Sequence, residues 1–129
     1  MQVFVTNTFD RWMRKSSLSE ERILLTALET FSGLSVVDLG AGLIKKRIAI
    51  AGRGKRSAAR VIIATRKHGR YFFLHGFHKN ERTNLDEHEL DEHELDYVRR
   101  IAKDLLDLTQ QELAVAIQAG QLIEVNRGV

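Results

Sequence analysis

Residues 43–82 carry twelve lysines and arginines against a single acid, Glu81, for a formal charge of +11. The cations are Lys45, Lys46, Arg47, Arg53, Lys55, Arg56, Arg60, Arg66, Lys67, Arg70, Lys79 and Arg82. Residues 83–129 run the other way, with four basic and eleven acidic side chains, so the overall charge of +3 conceals a separation. Concentrating like charge in a folded domain costs self-repulsion, and a polyanionic partner offsets it. The commonest such partner is nucleic acid, whose phosphates exchange counterions for lysine and arginine. Edge-strand lysines that discourage aggregation account for two or three of these residues, not for twelve.

Two glycine-rich stretches invite a phosphate-loop reading. A Walker loop needs glycine, four residues, then Gly-Lys-Ser/Thr. Here Ala49 stands at the first position and Arg56 follows Lys55, while Gly40-Ala41-Gly42 lacks the third glycine of a dinucleotide site. Gly52-Arg53-Gly54-Lys55 still offers backbone N–H groups and two cations to a phosphate. His75 and His78 lie ahead of Lys79 in an apolar run. His75 reads as a packed core residue and His78, on the other face, as the candidate proton carrier. His88 and His93 sit among acids five residues apart, a spacing that does not set two imidazoles above one metal, so no metal site or cofactor is expected. With no cysteine among 129 residues, disulfides and thiolate zinc sites are excluded.

These residues need a scaffold, and its outline is readable. Val3-Phe4-Val5 predicts an opening strand, and Asn7 or Thr8 a helix cap ahead of Phe9, Trp12 and Met13 on one face. Ser17-Leu18-Ser19-Glu20 has the capping-box spacing, followed by an apolar face of Ile23, Leu24, Ala27, Leu28 and Phe31 that ends at Gly33. Val36-Val37 and Ile44–Ile50 predict strands separated by Gly40-Ala41-Gly42. Alternation puts Ile44, Ile48 and Ile50 on one face and Lys45 and Arg47 on the other, with Lys46 misplaced among the isoleucines. Arg60–Arg66 is the next strand, Lys67–Arg70 a hairpin turn, and Tyr71–Phe77 a central strand, giving an antiparallel meander. Leu95, Val98, Ile101, Ala102 and Leu105 keep a helical period, Thr109–Glu112 caps a shorter helix, and Leu122–Val125 predicts a last strand. Asp-Glu-His-Glu-Leu occurs twice across 86–95, a tandem insertion rather than a solenoid repeat. The expected architecture is a single α+β domain: residues 1–33 hold a strand and two helices, 36–79 the basic meander, and 84–129 an acidic helical part. A small antiparallel sheet of about four strands packs on the two N-terminal helices. The quickly polar N-terminus does not suit a signal peptide, and no apolar run suits a membrane span, so a cytoplasmic protein is expected.

This order of parts resembles the RelE superfamily of toxin–antitoxin toxins, in its RelE/HigB-like branch. The resemblance rests on Phe9-Asp10-Arg11-Trp12, Leu39-Gly40-x-Gly42-Leu43, Lys45-Lys46-Arg47, Gly52-Arg53-Gly54-Lys55, Arg60, and Phe73-Leu74-x-Gly76-Phe77-x-Lys79-Asn80-Glu81-Arg82 followed by Asn84. The family usually has a small residue where His78 stands, and glycines where this chain has Arg56-Ser57-Ala58-Ala59. The resemblance implies RNA on a concave basic face, messenger RNA cut in the ribosomal decoding site, and a cognate antitoxin. The antitoxin is expected to be a helix-turn-helix protein that also carries the pair to DNA for autoregulation, since this chain shows no such motif.

For such a metal-independent endoribonuclease, Arg60 with Arg53 and Lys55 is expected to stabilise the phosphate. Lys79 or His78 would move the proton, and Lys45, Lys46, Arg47, Arg56, Arg66 and Arg82 would hold the RNA backbone. The alternative is a basic module that binds RNA, DNA or an acidic protein without turnover. The acidic 84–108 segment reads as a solubilising helix.

Overall fold

The computed structural model describes residues 1–49, 58–66, 69–78 and 90–125. Its elements in chain order are β1 (Gln2–Thr6), α1 (Asn7–Lys15), α2 (Glu20–Phe31), β2 (Val36–Gly40), β3 (Leu43–Ala49), β4 (Ala58–Thr65), β5 (Arg70–His78), α3 (Glu92–Leu106), α4 (Gln110–Gln118) and β6 (Leu122–Glu124).

The sheet is larger than the sequence suggests and is mixed. Its six strands lie in the order β2-β3-β4-β5-β1-β6. The basic meander is antiparallel throughout, but β1 runs parallel to β5, with Val3 opposite Tyr71 and Val5 opposite Phe73. β6 then pairs antiparallel with β1. Both terminal strands are visible as short apolar runs. Their pairing depends on chain ends far apart in sequence, which no local pattern reveals.

Helices cover both faces of the sheet. On one, Val5, Ile48, Val61, Ile63 and Phe73 pack against Phe9 and Met13 of α1 and Ile23 and Ala27 of α2. On the other, Phe4, Leu43, Ile62, Ala64 and Phe72 pack against Val98 and Ala102 of α3 and Leu113 and Ala116 of α4. A sheet buried on both faces accounts for the near-continuous apolar runs of β4 and β5.

Helix starts follow side-chain capping. Thr6, rather than Asn7 or Thr8, accepts from the Phe9 N–H and caps α1. Ser19 caps α2 by accepting from Arg22 N–H. Asp91 and Glu94 form a complete capping box, so the second copy of the repeated pentapeptide begins α3. Thr109 and Glu112 do the same for α4. The turn between β2 and β3 places Gly40, Ala41 and Gly42 all at positive φ. A Cβ on Gly42, at φ +82°, would also press on Leu106 and on the Thr65 carbonyl, which favours glycine there.

The predicted apolar face of α2 is only partly correct. Ile23 and Ala27 are buried, but so are Thr26 and Thr30, while Leu28 and Phe31 are exposed. The core side of this helix is offset from the stripe that its leucines define.

Candidate nucleic-acid interface

Three of the predicted cations share the face of the sheet that carries α3 and α4. Arg60 alternates with Ile62 and Ala64, and Lys45 and Arg47 alternate with Leu43; Leu43, Ile62 and Ala64 all belong to the core on that side. Register sets Arg47 directly opposite Arg60, and Arg60 opposite Phe77. The next row on the same face is Lys45, Ile62 and His75. Directly opposed side chains on neighbouring strands stand about 5 Å apart at Cβ, and like charges so placed repel. A phosphate placed between Arg47 and Arg60 would turn that repulsion into attraction.

His75 enters this row through a bulge. The pairing of β4 with β5 shifts between Ile62, opposite His75, and Ile63, opposite Phe73, which leaves Leu74 as the extra residue. A bulge inverts the facing of every residue beyond it. Tyr71 and Phe73 face α1, and strict alternation would have put His75 and Phe77 there too. Instead Phe77 joins the core under α3 and α4, and its ring lies 5.6 Å from that of His75. His75 also lines a pocket of about 310 Å³ with Thr6, Thr8, Glu94 and Tyr97.

The same inversion sends His78 to the other face. Its Nε2 lies 2.9 Å from Ser16 Oγ, and its ring packs 5.3 Å from that of Trp12. His78 is therefore not brought together with Arg60. Simple alternation in the sequence assigns the two histidines the reverse way because it carries no signal of the bulge.

Lys46 is also misassigned as a backbone contact. It faces α2 between Ile44 and Ile48, is only 2% exposed, and holds its ammonium 3.1 Å from Glu29 Oε1. The same ammonium donates to the Arg47 carbonyl at 3.1 Å. Its charge is committed to an internal pair.

Arg66 follows β4 directly at its far end. Six residues separate it from Arg60, roughly 20 Å along a strand. Its guanidinium lies 3.4 Å from the Asp107 carboxylate. Beside it, Gly42, Asp96, Arg99, Arg100 and Lys103 line a cleft of about 720 Å³. Arg99 donates twice to the Leu39 carbonyl, at 3.0 and 2.7 Å, and ties α3 to the β2–β3 turn. The hydrogen bond and charge of Lys103, helped by Arg66, hold the Asp107 carboxyl below the ordinary aspartate range.

Arg53, Lys55, Arg56, Lys79 and Arg82 lie outside the described residues, as do Lys67, His68, His88 and Ile50. Among the described residues, no group of three or more His, Asp or Glu is placed to hold a metal. Nor is any helix there long and apolar enough to cross a membrane.

A helix-flanked sheet with a cationic row at one end defines a small α+β protein with a concentrated basic surface. The chain belongs to the RelE family: residues 1–125 match the family described as the RelE toxin of the RelE/RelB toxin–antitoxin system. It is thus a toxin of that kind, and an antitoxin partner follows from the family. No curated relative matches the chain.

Proposed function

We propose that this toxin is a metal-independent endoribonuclease that cuts messenger RNA, on the ribosome and in the cytoplasm, and that Arg60 is the centre of its site. The observation that supports this most is the cross-strand pair Arg47–Arg60 with His75 in the adjoining row of the same face. In this reading the RNA 2′-hydroxyl loses its proton and attacks the adjacent phosphorus. The bond from phosphorus to the 5′ oxygen breaks, and that oxygen takes up a proton. The products are a 2′,3′-cyclic phosphate and a 5′-hydroxyl. Negative charge builds on the non-bridging oxygens in the transition state, where Arg60 and Arg47 stabilise it. Arg53 and Lys55, between β3 and β4 in the sequence, reinforce them, and Lys45, Arg56 and Arg82 hold the flanking backbone. Lys79 follows β5 directly and moves a proton together with His75, which replaces His78 in that role. The antitoxin, read as a helix-turn-helix protein, supplies operator binding for the pair.

Mapping of 5′ ends after incubation with translating ribosomes tests the reading. Wild-type chain should create discrete new ends. Arg60→Ala should slow their appearance by about 100-fold or more, and His75→Gln by more than His78→Gln. Salt-sensitive RNA binding without new ends would replace the enzyme by a binding module. Equal losses for the two histidine variants would remove His75 from the proton step.

A further inference from the structure

Beside the cationic row, β5 and α3 enclose a pocket of about 310 Å³. His75 lines it from the sheet and stands two residues before Phe77, the cross-strand partner of Arg60. Diagonal neighbours on two antiparallel strands lie about 7–8 Å apart, so one nucleotide spans from Arg60 to the pocket. From the other side α3 presents Glu94, Tyr97, Val98 and Ile101, which recur at i, i+3, i+4 and i+7 and so share one helical face. Leu74, the bulged residue, joins Val98 and Ile101 in an apolar lining. Polar groups enter that lining from Glu94, His75 and Thr8.

Size and chemistry select the occupant. Ligand pockets begin at about 300 Å³, so this one takes a single flat ring system and not a run of bases. An unstacked RNA base has that shape, with a flat face for an aromatic ring and a polar edge for side chains. Tyr97, 64% exposed, offers the ring. Glu94 decides which edge fits. Its Oε1 accepts the Asp91 N–H at 3.1 Å, and the Asp91 carboxylate accepts the Glu94 N–H at 2.8 Å, so the start of α3 holds the Glu94 carboxylate in place. An ionised carboxylate only accepts, and it has about four acceptor positions, so one capping bond does not exhaust it. Guanine carries its N1–H and N2 amino group side by side, and both can donate to one carboxylate. Adenine and cytosine set a lone pair beside the amino group, and uracil flanks its N–H with two carbonyls. Each of these turns a lone pair toward Glu94. We infer that the pocket takes one unpaired base of the RNA, guanine before the others, next to the phosphate on Arg47 and Arg60, a site that rests on the RNA-cleaving reading above.

Binding is tested by calorimetry on short deoxythymidine strands that carry guanine, adenine, cytosine or thymine at one central position. These strands lack the 2′-hydroxyl, so the proposed chemistry cannot cut them. The guanine strand should bind about tenfold more tightly than the thymine strand, the scale of one bidentate base contact. Glu94→Gln keeps the capping bond, since glutamine serves at that position of the box, but it exchanges one acceptor oxygen for a donor. It should shrink the guanine advantage to about twofold or less. Tyr97→Ala, at an exposed position, should weaken all four strands by about tenfold, because stacking is indifferent to sequence. In parallel, 5′ ends mapped after incubation with translating ribosomes should cluster beside guanines, and Glu94→Gln should remove that bias. Equal affinity for the four strands, a guanine advantage that survives Glu94→Gln, or no binding of any strand overturns the inference. Guanine preference in binding without new 5′ ends overturns the nuclease reading alone. New ends that ignore guanine overturn the inference alone.

Discussion

The pair between Lys46 and Glu29 separates a structural charge from a binding one, and its asymmetry can be measured. The Lys46 side chain is 3% exposed and that of Glu29 26%. Glu29→Gln removes the counter-ion of an almost fully buried ammonium and leaves it only neutral acceptors such as the Arg47 carbonyl, which costs about 3 kcal/mol. Lys46→Met puts an unbranched apolar chain among Ile44 and Ile48 and leaves a carboxylate that water already reaches, at about 1 kcal/mol or less. Both variants remove the same ion pair, yet Glu29→Gln should lose roughly 2 kcal/mol more. A domain of this size loses about 3–5 °C of Tm per kcal/mol, so Glu29→Gln should melt about 10 °C below wild type and Lys46→Met only a few degrees below it. Urea denaturation gives the free energies directly. The functional half uses the salt dependence of RNA affinity. Each lost contact to a single-stranded phosphate reduces the slope of log K against log salt by about 0.7. Lys45→Ala should show that reduction and Lys46→Met should not. The reasoning fails if Lys46→Met destabilises as much as Glu29→Gln, or flattens the slope as Lys45→Ala does.

Two further measurements probe the packing around the site. A Cβ on Gly76 would collide with Trp12, so Gly76→Ala should cost about 1–3 kcal/mol in urea denaturation, with part recovered by adding Trp12→Leu. A neutral Gly76→Ala would mean that the ring has room to move. The Asp107 carboxyl is held below the ordinary aspartate range by Lys103 and then Arg66, so its folded-state titration lies below its unfolded one. The stabilisation is therefore present above the unfolded aspartate pKa and lost as pH falls through the lower folded value. NMR titration should show a midpoint below that of an aspartate in an unstructured peptide. A midpoint at or above that reference would mean that the pair does not form in solution.

Period and capping residues made much of the fold legible. Thr109-Gln110-Gln111-Glu112 announces α4, and the glycines at 40 and 42 announce the β2–β3 turn, because both signals are confined to a few adjacent residues. The parallel seating of β1 beside β5 was hidden, since Val3-Phe4-Val5 looks the same whichever neighbour it takes. The orientation of α2 was obscured by Thr26 and Thr30. Threonines that bond their own helix carry methyl groups into a core, and a reading based on polarity counts them as surface. Lys46 already stood out among isoleucines at period two. What its sequence position could not disclose was Glu29, seventeen residues earlier, turned inward to meet it.

At the site, composition revealed the surface and one backbone irregularity decided its membership. The crowding of cations over 43–82 is a local property of the sequence, and Lys45, Arg47 and Arg60 do come to one face by simple alternation. The histidines could not be placed that way. A strand with apolar residues on both faces has no amphipathic pattern to betray a bulge, so the inversion at Leu74 is silent. Yet it determines which imidazole meets the cationic row. Without it, His78 would share Arg60's face and His75 would point toward α1. With it, His78 caps the Trp12 side against Ser16, and His75 stands beside Ile62 with its ring near Phe77. Gly76 is the complement of that inversion. It occupies the α1 face where Trp12 crosses the strand, a place where any Cβ would press on the indole ring. The bulge, the glycine and the tryptophan thus form one device. The bulge turns His75 to the cationic row, and Gly76 leaves room for the Trp12 ring on the opposite face.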